Sequence, residues 1–459
     1  MSKQNTILLQ PNDVLFFRDG RPMEGALAGH GAAWPLPNII NAAFHAALHR
    51  ASIPAAHGHR TVRRGETLEI REQFFGSLVT AGPFPVRTSA DGNSCVWLMP
   101  RPRDLESDTL VPSLSPACGQ WLQGSLPKPL TRAVASLRPP SKDSGAKAWI
   151  SVADYEAYLN EEPERVADAA NDGDIFDAEH NVGIAIDPET QTTGQGDAAG
   201  KIYSAHYLRL RDAFRLGVLG AAWDKVDGQL DQKRDLLKDL LQSSHQILVG
   251  GQQRACTAEL LNPGTHLPMP LGLGHEFLGA KGCLVKWVLL TPAIWPAIMA
   301  GTSQKGITIN PHPGGWIPNW ICPNTGKVLL TVRSGNVSRS GRYRTSDSES
   351  PAASIGAHLV SALVPKPLPV TGWSLGGGID AGGNASKAGA KSTHLAVPAG
   401  AVYYFQADSP EEAVKLATAL NWHGSGDGSE IKNRRSTLMG EKGFGLGVCG
   451  RWSLHKTAQ

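Results

Sequence analysis

One stretch near the C-terminus constrains this chain more than any other. Ala401 to Gln406 is an apolar, aromatic run with strand character, and Ser409-Pro410-Glu411-Glu412 follows as a capping box with proline at the first helical position. Ala413, Leu416, Ala417 and Leu420 then recur at helical spacing, and Phe444 to Trp452 returns as a strand. A helix this short buries its stripe only against a sheet, so the pattern is β-α-β. Together with the apolar run Cys283 to Leu290, it amounts to half or more of a ferredoxin-like domain.

The opening predicts a related unit. Thr6 to Phe17 is strand-like, Arg18-Asp19-Gly20-Arg21-Pro22 is a turn, and Pro35-Leu36-Pro37-Asn38 precedes a helix over Ile39 to Arg50. Ile40, Ala43, Phe44, Ala47 and Leu48 mark its apolar face, and Asn38 is placed to cap it. Ser77 to Pro140 is dense in proline without helical period, which predicts short strands and loops. Val182 to Ile186 and Ile202 to Leu210, separated by a polar turn, predict a long β-hairpin shaped as a projecting finger. A helix is expected over Val226 to Gln242, with Leu230, Leu237 and Leu241 on one side. No repeat of solenoid period is visible.

At 459 residues and 41% hydrophobic content the chain buries a sizeable core, which excludes disorder and fibrous repeats. Its apolar runs end within ten residues, and the start MSKQNTILLQ has no signal-peptide core, so a cytoplasmic protein without membrane association is expected. Cys95, Cys118, Cys256, Cys283, Cys322 and Cys449 are scattered without a CxxC pair, suggesting neither a zinc ribbon nor a disulfide framework. The net charge of +3 is unevenly distributed. Asp154 to Glu189 holds twelve acids against Arg165 alone, whereas Lys281 to Gln459 has 18 Lys+Arg and 9 Asp+Glu. A basic C-terminal part suits a polyanion.

Several short motifs lack the context their chemistry needs. Gly372-Trp373-Ser374-Leu375-Gly376 matches a hydrolase nucleophile elbow, but prolines precede it and glycines follow it where a helix must start. Gly389-Ala390-Lys391-Ser392 resembles the end of a P-loop with its glycine and lysine out of register. His45 and His49 have the i, i+4 spacing of joint metal ligands without a third ligand tied to them. His30 could act as a general base on RNA. No catalytic constellation, metal site or cofactor is therefore expected.

Cations beside glycines recur instead. Arg333, Arg339, Arg342 and Arg344 are interleaved with glycine, serine and Tyr343. Lys432, Arg434 and Arg435 precede Gly440-Glu441-Lys442-Gly443-Phe444-Gly445-Leu446-Gly447, Gly250-Gly251 stands near Arg254, and Gly372 to Gly389 is followed closely by Lys391 and contains Lys387. Guanidinium groups grip phosphate bidentately, glycines let backbone amides approach it, and aromatic rings offer stacking faces.

Taken together, Pro11 to Pro22, Pro35-Leu36-Pro37, Gly250-Gly251 with Arg254, Gly443 to Gly447 and Gly450-Arg451-Trp452 resemble the RAMP superfamily, specifically the third subunits of the Cmr module of type III-B CRISPR systems. The resemblance implies an α+β fold of two ferredoxin-like (RRM-like) domains in tandem, residues 1–245 and 246–459, with a β-hairpin thumb and long inserted loops. It implies a non-catalytic subunit that binds the 5′ handle of the guide RNA (crRNA) and docks to the large palm-domain subunit and a backbone RAMP subunit. The residues expected at the RNA are Arg18, Arg21, His30, Gly251, Arg254, Arg333, Arg339, Arg342, Lys387, Lys391, Arg434, Arg435, Lys442, Gly443 and Phe444. Where relatives often show Gly-Gly-Glu, this chain has Gly250-Gly251-Gln252-Gln253-Arg254, so no carboxylate role carries over. The alternative is a metal-independent endoribonuclease of the same superfamily that processes guide-RNA precursors, with His30 as its base.

Overall fold

The computed structural model describes residues 4–17, 27–29, 34–51, 78–89, 94–106, 109–117, 126–136, 146–162, 165–187, 189–193, 202–225, 233–243, 246–261, 268–273, 283–302, 308–333, 336–337, 344–345, 354–374 and 389–454. The N-terminal half runs β1 (Asn5–Pro11), α1 (Pro37–Arg50), β2 (Val79–Thr88), β3 (Cys95–Pro100), β4 (Trp149–Ser151), α2 (Val152–Leu159), β5 (Ala169–Ala170), β6 (Phe176–Ile184), β7 (Ile202–Leu210), β8 (Phe214–Ala221), α3 (Leu236–Ser243), β9 (Gln246–Leu248) and β10 (Ala255–Leu260). Its eight-stranded sheet has the order β9-β10-β1-β8-β2-β3-β4-β5. The central strands β10, β1, β8 and β2 pair antiparallel. Counted with α1 and α3, they are the fourth, first, third and second strands of a β-α-β-β-α-β unit.

The C-terminal half runs β11 (Leu284–Leu289), β12 (Ala357–Leu363), β13 (Val402–Ala407), α4 (Pro410–Leu420) and β14 (Gly447–Arg451), in the sheet order β12-β13-β11-β14. That is the same strand order, although no α-helix lies between β11 and β12 among the described residues. The fold is therefore α+β, with antiparallel sheets and few helices.

Both sheets are covered on two faces, which explains why a strand such as β13 reads as continuously apolar. Tyr403 and Phe405 pack with Trp287 against the Ala413, Leu416 and Leu420 stripe of α4. Tyr404 and Val402 point the other way, into a core shared with Phe84, Trp97 and Leu219 of the N-terminal sheet and Tyr155, Tyr158 and Leu159 of α2. The two halves thus share one hydrophobic interior. The outer face of the N-terminal sheet is closed by Ile40, Phe44 and Leu48 of α1 and by Leu237 and Leu241 of α3. Each such side chain contributes about 1.5–3 kcal/mol by leaving water.

At the join lies a buried polar cluster. Asp104 accepts hydrogen bonds from Tyr158 (2.6 Å) and Tyr404 (3.0 Å), and Lys286 Nζ stands 3.8 Å from Asp104 and 3.5 Å above the Tyr158 ring centroid.

Several expectations change in detail. The helix begins at Pro37, so Asn38 lies inside its first turn and extended Leu36 takes the cap position. The opening strand stops at Pro11, and only Leu15–Phe16 resumes pairing, with β7. The hairpin forms but starts at Phe176, six residues earlier than the apolar pattern suggests. The third helix covers only Leu236–Ser243; Leu230 lies outside the described residues. The acidic stretch, unassigned by period, contains α2, capped by Ser151. The expected boundary at 245/246 falls inside the N-terminal sheet, because β9 and β10 extend it through Leu260. Among the described residues no helix is long and apolar enough to cross a membrane.

Candidate nucleic-acid interface

Two glycine-bearing loops sit beside N-terminal elements, and backbone geometry explains each. In the loop before β14, Gly443 (φ +90°) and Gly445 (φ +75°) adopt left-handed backbone that side chains resist. A Cβ on Gly443 would stand 2.6 Å from Thr80 O and 3.3 Å from Pro37 Cβ, and one on Gly445 would stand 2.1 Å from Ser436 N. Thr291 Oγ1 holds the loop by donating to Gly443 O (2.8 Å) and accepting from Leu446 N (3.0 Å). The loop of the C-terminal half is thereby pressed onto the start of α1 in the N-terminal half. That helix end has no side-chain cap and no acid in its first turn, so its positive dipole end is uncompensated there.

Cations border this junction. Lys442 is half-buried, and its pKa is lowered by burial first; Glu441 opposes the shift and Lys391 adds to it. Lys391 and Lys442 therefore lie close enough to feel each other, although 51 residues separate them. A cavity of about 160 Å³ is lined by Lys432, Arg434, Arg435, Thr437 and Glu441.

Two expected contact residues turn inward. Arg435 is 5% exposed; its guanidinium donates to Ala419 O (2.7 Å) at the end of α4 and to Asn433 Oδ1 (3.0 Å), and burial pulls its pKa down to about 10. Phe444 is fully buried against Ile294, Val370 and Ala396. Phe444 offers no face to a ligand, and Arg435, although it borders the same cavity, has its guanidinium engaged by the protein. Alternation of cation and glycine in sequence does not reveal which side chain the loop turns inward.

At the second loop, Gly251 N donates to Phe16 O (2.9 Å), tying Gly250-Gly251 to the base of the hairpin sheet. Arg254 pairs with Asp13 (3.3 Å) and stacks over Tyr207 at 5.2 Å. Gln252 accepts from Tyr207 (3.0 Å). Arg254 is thus committed to a protein network. Arg18, Arg21, His30, Arg339, Arg342 and Lys387 lie outside the described residues, and of Arg333 only the backbone is described.

The remaining motifs find structural explanations. Trp373–Ser374 pairs with Gly389–Ala390 as a β-ladder, where a nucleophile elbow would need a strand entering a helix. His45 and His49 face each other edge-on at 4.6 Å, and no group of three metal-ligating residues exists among the described residues. Sequence reading missed a cavity of about 460 Å³ where the halves meet, walled by Trp34, Phe84, Trp149, Pro37, Pro292 and Pro369. Its residues come from seven separate segments, and no spacing rule would have joined them.

The antiparallel α+β architecture and the glycine-loop junction define a two-sheet protein whose candidate ligand surface lies between its halves. The family model described as CRISPR-associated protein (Cas_Cmr3) matches residues 7–452, and the chain belongs to that family. Solved structures similar to it include the type III-B Cmr-beta bound to cognate target RNA, at 12% identity over 87% of this chain and 86% of that chain with a TM-score of 0.37. Another is the Csm3–Csm4 subcomplex of the type III-A CRISPR-Cas interference complex, at 11% identity over 88% and 94% with a TM-score of 0.33. No curated protein matches the chain.

Proposed function

We propose that this chain is a non-catalytic crRNA-binding subunit of a type III-B Cmr complex, that both halves are ferredoxin-like modules, and that the guide's 5′ handle lies along the junction between them. The observation that carries the reading is that junction. There the glycine loop of the C-terminal half, with its neighbouring Lys391, Lys432, Arg434 and Lys442, packs on the uncapped start of α1 from the N-terminal half. The positive end of α1, with no acid in its first turn, favours phosphate, and the lysines add charge.

The finger β6–β7 then serves assembly. Its acids Asp177 and Glu179 pair with Arg211 and Arg209, and Val182, Ile184 and Ile186 remain exposed, a surface for a protein rather than for RNA. The palm-domain and backbone subunits are its partners in this reading.

RNA titration over a range of salt tests the binding role. Single-stranded binding loses about 0.7 in the log–log salt slope for each phosphate contact removed. Replacing Lys391 and Lys442 with alanine, or Arg18 and Arg21, flattens the slope and weakens binding of handle-length RNA. An unchanged slope in both variants rejects the junction as the RNA path.

A further inference from the structure

The cavity between the halves has a chemistry unlike the surface around it. Trp34, Phe84 and Trp149 give it aromatic walls, with Pro37, Pro292 and Pro369 flanking them, and none of the described lining residues is charged. The two indoles lie 5.5 Å apart between centroids at 58°. Their N–H groups are already used: Trp34 Nε1 donates to Pro83 O (2.9 Å) and Trp149 Nε1 to Asp172 Oδ1 (2.7 Å). The hydroxyl of Thr291, also in the wall, is held by Gly443 and Leu446. The side chains therefore offer ring faces and proline surfaces, while their hydrogen-bonding groups are spent on the protein. A flat π-system that needs no edge partner fits these walls.

The cavity is also continuous with the cationic junction. Pro37 lines it and would be 3.3 Å from a Cβ on Gly443, and Thr291 lines it while bonding the Gly443 carbonyl. Lys442 precedes Gly443 and lies near Lys391, and exposed Lys366 stands two residues before Leu368 in the wall. A polyanion on the glycine loop thus passes an uncharged aromatic slot.

We propose that this cavity receives one unstacked nucleobase of the RNA strand lying on the glycine loop, holding it by stacking and without reading its edge. The inference rests on the RNA-binding role proposed above and adds what the junction does with one base. Because the indole N–H groups are unavailable, the slot tolerates any base and favours purines for their larger stacking face.

The test uses the full-length chain and single-stranded RNA oligomers carrying one 2-aminopurine, moved along the strand position by position. The expected result is quenching at a single position and a loss of affinity of about 5- to 150-fold when that nucleotide is made abasic, the range that stacking on an aromatic side chain supplies. Exchanging one natural base for another there changes affinity much less. Trp34→Leu should abolish the quenching; since the wild-type measurement needs no variant, a misfolded substitution cannot mask the answer. If RNA binds but no position is quenched and no abasic substitution matters, the inference fails while the RNA-binding role stands. If a proline-rich peptide alters the tryptophan fluorescence and RNA does not, the slot belongs to a protein partner and the inference is overturned. Absence of any RNA binding defeats both readings.

Discussion

Lys286→Met, Asp104→Asn and their combination test what joins the two sheets. Asp104 and Lys286 are both 0% exposed, and Lys286 Nζ has no hydrogen-bond acceptor, only the carboxylate at 3.8 Å and the Tyr158 ring. Burial pushes the Asp104 carboxyl up and the Lys286 ammonium down, while each partner's charge resists the shift of the other. At 3.8 Å and an effective dielectric near 20, their attraction is about 4 kcal/mol. Removing one member leaves the other buried and uncompensated, so Asp104→Asn should destabilise by roughly 3–5 kcal/mol. Lys286→Met should cost less, because Tyr158 and Tyr404 still donate to Asp104 and a carboxyl of raised pKa escapes by taking up a proton. The double variant removes both charges and should recover to within about 1–2 kcal/mol of the parent. Denaturant unfolding followed by tryptophan fluorescence gives the cycle, with equal slopes required for comparison. If the double variant costs the sum of the single ones to within about 0.5 kcal/mol, the pair is not coupled and the reasoning fails.

The remaining predictions concern the loop, acid stability and the finger. Gly445→Ala should destabilise the fold by at least about 2 kcal/mol, since left-handed backbone and a contact with Ser436 N at 2.1 Å act together; a thermal melt within a degree of the parent would contradict this. His312 accepts from Gly314 N through Nδ1 (2.9 Å), its Nε2 faces Ile321 O (3.0 Å), and burial lowers its pKa below 6.5. His423 is lowered likewise. A depressed folded pKa means stability is intact above about pH 6.5 and lost as pH falls through the folded values, so the unfolding midpoint should drop between pH 7 and pH 5. A flat profile over that interval would show that neither histidine is buried neutral. Changing Val182, Ile184 and Ile186, which are 62%, 55% and 60% exposed, to threonine should leave unfolding within about 0.5 kcal/mol, and should weaken assembly with partner subunits in co-purification. Deleting Glu189 to Gly200 should do the same more severely; normal assembly and target cleavage would remove the finger's proposed role.

The β-α-β unit around α4, the first helix, the finger and the family were all legible without coordinates, because they depend on local periodicity, capping residues and short-range motifs. Ser409 caps α4 and Ala413, Leu416 and Leu420 are buried, as their spacing predicts. The departures follow local competition: Pro37 claims the first helical position, so Asn38 cannot cap, and Asn12-Asp13 interrupt the opening strand.

Only the tertiary structure decided which cations are buried. Arg434 and Arg435 are equivalent by composition, yet Arg435 is buried with its guanidinium donating to Ala419 O at the end of α4, while Arg434 stays partly exposed. Asp104 and Lys286 gave no sign of being partners, and neither did the prolines and tryptophans that meet from both halves to form the slot. Sequence carries the period of an element and the chemistry of a turn, because both act over a few residues. Burial, pairing and cavity walls depend on which faces meet when two sheets close on one core, and that is settled by packing between residues hundreds of positions apart.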